Sequence, residues 1–82
     1  MRWVININGD PAETLRDELW QIYSAADRLR DKVGDLTVNG RNYPGDPDAL
    51  QADLAERMEM IRHVETVRRW AQNEILNLQR GE

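Results

Sequence analysis

Ala12, Leu15, Leu19, Ile22, Ala26, Leu29 and Val33 follow one another at alternating spacings of three and four residues. That is an unbroken heptad seam, and it commits the stretch to an amphipathic helix that lays one face on another helix. The residues ahead of it supply a start signal: Asp10 as N-cap, Pro11 at the first helical position and Glu13 shortly after. Arg28, Arg30 and Lys32 gather in the last turns, where the helix dipole favours cations, and Gly34 suits the terminus.

A second start, Gly45-Asp46-Pro47, opens a longer helix expected to reach Gln79. Its main stripe is Leu50, Leu54, Met58, Ile61, Val64, Ala71, Ile75 and Leu78, broadened by Met60, Val67 and Trp70. At 1.5 Å per residue the two helices span about 35 Å and about 50 Å. The shorter helix cannot cover the longer one, so the excess apolar surface is expected to meet a second copy of the chain or another protein.

Two further segments read as β-structure. Arg2 to Asn8 alternates, with Trp3, Ile5 and Ile7 on one face, as a half-buried strand does. Leu36 to Tyr43 contains Asn39-Gly40, the preferred pair for a type I′ turn, and predicts a short hairpin. The expected fold is therefore one domain over residues 1–82, α+β and mostly helical: strand, helix, β-hairpin and long C-terminal helix. The helices are expected to pair in a homo-oligomeric bundle.

Composition narrows function by exclusion. Eleven basic and 15 acidic side chains leave a net charge of −4, with no contiguous basic face, so nucleic acid is not an expected partner. There is no cysteine, hence no disulfide, thiolate nucleophile or Cys-based metal site. Asn6, Asn8 and Asp10 have calcium-loop spacing without the closing Glu. No apolar run is long enough to span a membrane and no signal peptide is evident, so the cytoplasm is the expected compartment. Without a phosphate-binding loop, a zinc motif or a framed nucleophile around the lone His63, the chain is read as non-enzymatic and without cofactor or metal.

Three features rise above that background. Arg68 falls on the seam of the second helix, where it either pairs with Glu65 or an acid on a neighbouring helix, or else meets an anion between helices. Arg41, Asn42 and Tyr43 sit in the loop that runs into a helix N-terminus, a place suited to carboxylate or phosphate. Trp20, Tyr23 and Trp70 flank the seams and, with Met60 and Val67, suit an interface.

Two functions fit. The first is a small homo-oligomer that binds or sequesters a small anion, a nucleotide among the candidates, at a subunit junction built from Arg41, Asn42, Tyr43 and Arg68. The alternative is a protein-interaction module, such as an inhibitor, adaptor or assembly subunit, acting through the exposed apolar face of the long helix.

Overall fold

The computed structural model describes residues 12–81. They form two helices, α1 (Ala12–Gly34) and α2 (Pro47–Gly81), joined by a connector that holds one 3-10 turn at Gly40–Asn42. The helices lie antiparallel as a hairpin 64 × 16 × 16 Å in extent. Both bounds follow the sequence signals closely. Asp46 accepts the Ala49 N–H at 3.1 Å, capping α2 with Pro47 at the first position, where no donor is lost. Gly45 takes the left-handed backbone (φ 77°) that lets the connector turn into that cap.

The expected α+β fold is corrected on one count. The predicted N-terminal strand, Arg2 to Asn8, lies outside the described residues. The predicted β-hairpin, Leu36 to Tyr43, does not form, and the described residues contain no strand. A type I′ turn needs positive φ at both central residues, yet among the described residues only Gly45 has it. Local side-chain bonds have displaced the ladder. Asn39 accepts the Arg41 N–H through its own side chain at 2.9 Å, and the Asn42 N–H reaches the Asn39 carbonyl at 3.0 Å. The Asn42 amide donates to the Thr37 carbonyl at 2.6 Å.

Instead of standing out as a hairpin, the connector folds back along the first turns of α2. Arg57 donates to the carbonyls of Leu36 (3.1 Å) and Gly34 (3.5 Å), and the Tyr43 hydroxyl bonds to Asp53. Val33, Leu36 and Val38 share a cleft with Met60 there. The excess length of α2 is thus partly covered by its own chain rather than left bare. Asp53 and Arg57 are drawn to the connector, so the i, i+4 surface pair that their spacing suggests is not made among the described residues.

The core is small and lies toward the other end. Leu19, Ile75 and Leu78 form it, with Ala12 and Leu15 packed against it, and Ala26 and Ala71 are buried along the helix–helix contact. Glu74 is buried with them, 4% exposed.

Not every seam residue is covered. Leu15 is half-buried, but Ile22 is 37% exposed and Leu29 is 52% exposed. A heptad drifts by about 20° per repeat on a straight helix. Leu15, Ile22 and Leu29 are successive members of that repeat, and each rotates further out of the contact.

Candidate functional site

The helix–helix contact has two flanks of opposite chemistry. On one, Arg68 projects from α2 beside the seam, with its side chain 23% exposed. Its Nε and Nη2 both donate to the Glu65 carboxylate at 3.2 Å, and its Nη1 donates to the Tyr23 hydroxyl of α1 at 2.7 Å. Arg30 of α1 reaches the same carboxylate at 2.7 Å and pairs with Asp27 at 3.3 Å. The guanidinium of Arg68 also lies 5.2 Å from the centroid of the Tyr23 ring, and Trp20 meets that ring edge-on at 5.3 Å and 80°. The cation therefore has both a π face and a hydroxyl to interact with.

Electrostatically this flank is closed. Two guanidiniums face Glu65 and Asp27, so their charges cancel. Hydrogen bonds from Arg68 and then from Arg30 hold the Glu65 carboxyl below its ordinary range. The same bonds to Glu65 push both guanidiniums up. A carboxylate that accepts from two arginines is stabilised in its charged form, and it stabilises theirs in return. Glu65 answers to Arg68 and Arg30, not to Arg69 at i+4.

The other flank is apolar and open. Ile22, Ala25, Ala26 and Leu29 of α1 and Val64 and Val67 of α2 line a groove of about 380 Å³, with His63 at its edge. Val67 is 47% exposed. Trp70, one heptad after His63, lies on the same flank of α2 and is also exposed. The His63 imidazole stands 3.6 Å from Glu59, an i, i+4 neighbour on the surface.

The residues singled out in the sequence are distributed unevenly over these features. Arg68, Tyr23 and Trp20 belong to the polar flank, Val67 and Trp70 to the apolar one, and Met60 to the connector cleft. Arg41, Asn42 and Tyr43 are at the connector end, about 22 Å along α2 from Arg68, since Asp53 precedes Arg68 by fifteen residues. One chain does not bring Arg68 to them.

Asn42 and Tyr43 are engaged within the connector. The bond to Asp53, then desolvation, raises the Tyr43 phenol above its ordinary range. The Arg41 side chain is exposed and makes no ion pair among the described residues. Asp46 already occupies the donor at the start of α2.

Sequence reasoning missed the part played by Arg30. Arg30 looked like a dipole-favoured residue of the last turns, and only the register between the helices puts it beside Glu65. Among the described residues no group of acids and histidine could hold a metal ion, and no helix is long and apolar enough to cross a membrane. No protein-family model, curated protein or solved structure matches this chain.

Proposed function

We propose that the chain is a non-enzymatic helical interaction module that works through the apolar flank of its hairpin. The carrying observation is the asymmetry of the two flanks. A groove of about 380 Å³ lined by Ile22, Ala25, Leu29, Val64 and Val67 lies open, while the arginines opposite are neutralised within the chain. A groove between two helices with aliphatic walls suits the apolar face of a third helix, read as anchors at i, i+3, i+4 and i+7. Aliphatic surface held open on a small core argues for a binding role, because burying it is the main source of affinity available here.

Binding of a small anion draws less support. The cation on the seam, Arg68, spends its donors on Glu65 and Tyr23, and Arg41 lies far from it. An anion would have to displace Glu65 before it met Arg68.

Sedimentation of the full chain, alone and mixed with an amphipathic helical peptide, tests the module reading. The expected result is association of one kind or the other, lost in Leu29→Asp and Val67→Asp variants that keep their helical circular dichroism. If neither a copy nor a peptide associates at tens of micromolar, the reading is wrong.

A further inference from the structure

On the interaction-module reading, the remaining question is what the open flank receives. We propose that it seats a second copy of this chain, antiparallel, about a two-fold axis that passes beside Ala25.

The stripe that α1 presents on this side is Glu18, Ile22, Ala25, Leu29 and Lys32, spaced four, three, four and three. It is a second heptad seam, rotated from the one that meets α2. All five residues are exposed. The ends carry opposite charges, and neither Glu18 nor Lys32 makes an ion pair among the described residues. Fourteen residues of helix separate them by about 21 Å, so they do not meet within one chain.

The stripe reads nearly alike in both directions from Ala25. An antiparallel copy therefore sets Ile22 against Leu29 of the second copy, Ala25 against Ala25, and Glu18 against Lys32. The smallest side chain falls on the axis, where two helices approach most closely. A parallel copy would instead put Glu18 beside Glu18 and Lys32 beside Lys32. Charges at the edge of an apolar seam set orientation in this way in paired helices.

The same rotation lays the two α2 helices antiparallel, with Val64 and Val67 near the axis. Each chain then fills the groove of the other, as an isologous interface requires. The new contact is continuous with the existing core, because Ala26 is buried in the hairpin and also lines the groove.

Charge reversal tests the register. The wild-type chain is expected to sediment as a dimer. Glu18→Lys and Lys32→Glu, each alone, place like charges together twice per dimer and are expected to weaken association roughly tenfold. The double variant swaps the pair and is expected to return to within about twofold of wild type. Both positions are exposed, so circular dichroism should show all three variants folded. In a separate chain, Ala25→Cys is expected to form a disulfide-linked dimer on mild oxidation, while Asp31→Cys, exposed and turned away from the stripe, is not; the chain has no other cysteine.

A dimer whose double variant is as weak as the singles would overturn the antiparallel register. A wild-type chain that stays monomeric at hundreds of micromolar would overturn the second copy as occupant. In that case the module reading is judged separately, by whether an amphipathic helical peptide binds wild type and not Leu29→Asp.

Discussion

The two flanks of this hairpin are built from the same two helices, yet they solve opposite problems. On the polar flank, Arg68, Glu65, Arg30 and Tyr23 satisfy one another across the contact, leaving few donors for anything outside. On the apolar flank Ile22, Leu29 and Val67 meet across a gap that neither helix fills. The difference teaches which part of a small interface sets geometry and which part is left open. Directional bonds on one side fix the rotation and register of α1 against α2. Fixing that rotation is what holds the other side open, because the heptad drift of α1 can no longer be taken up by turning the helix.

The largest test concerns what both flanks share. Ile75→Ala removes a buried side chain from the core and is expected to cost about 2–5 kcal/mol, a large fraction of the stability of any small domain. Denaturant melts of wild type and variant measure it, and a loss under 1 kcal/mol would mean that Leu19 and Leu78 are not held by Ile75.

Next comes the polar flank alone. Arg68→Met keeps most of the apolar stem and removes the guanidinium, freeing Tyr23 and leaving Glu65 with Arg30. A lower Tm, and a Tyr23 to Trp20 geometry that loosens by nuclear Overhauser contacts, are expected. If register stays intact and Tm does not fall, the cluster is ornament rather than brace.

Acid should act through the same group. The Glu65 carboxyl is lowered in the folded chain, so its contribution is fully present above the ordinary carboxylate range and disappears as pH falls through the depressed folded value. Stability should therefore decline toward acid more steeply in wild type than in Glu65→Gln; equal slopes would assign the acid sensitivity to other carboxylates.

The smallest effect belongs to the apolar flank. Leu29→Ser alters a half-exposed side chain and should change the stability of the isolated hairpin by no more than about 0.5 kcal/mol. A much larger loss in dilute solution would show that Leu29 supports the hairpin itself.

Where the sequence sufficed, its signals were local and redundant. Asp46 and Pro47 specify the start of α2 by capping chemistry alone, and the seam from Ala12 to Val33 specifies α1. Arg68 was placed on the contact by spacing, with Glu65 named as one partner at i, i+3. What was not legible depends on register between segments far apart in the chain. Arg30 meets Glu65, and Tyr23 meets Arg68, only after the helices have paired.

The Asn39-Gly40 pair misled for a related reason. A hairpin turn is stabilised by the ladder beside it. Here Asn39 and Asn42 satisfy the backbone locally, and Tyr43 is drawn away to Asp53. Ile22 and Leu29 belong to the seam by spacing, and the angular drift of a straight helix turned them outward.

The placement of the core has a mechanical consequence. Leu19, Ile75 and Leu78 sit at the end of the hairpin remote from the connector, while Arg57 ties the connector end to Gly34 and Leu36. The hairpin is thus a clasp, shut covalently at one end and by its oiliest residues at the other. The groove lies between these two closures. Both ends of the groove are thus anchored, and the bonds of Arg68, Glu65 and Arg30 brace the flank behind it.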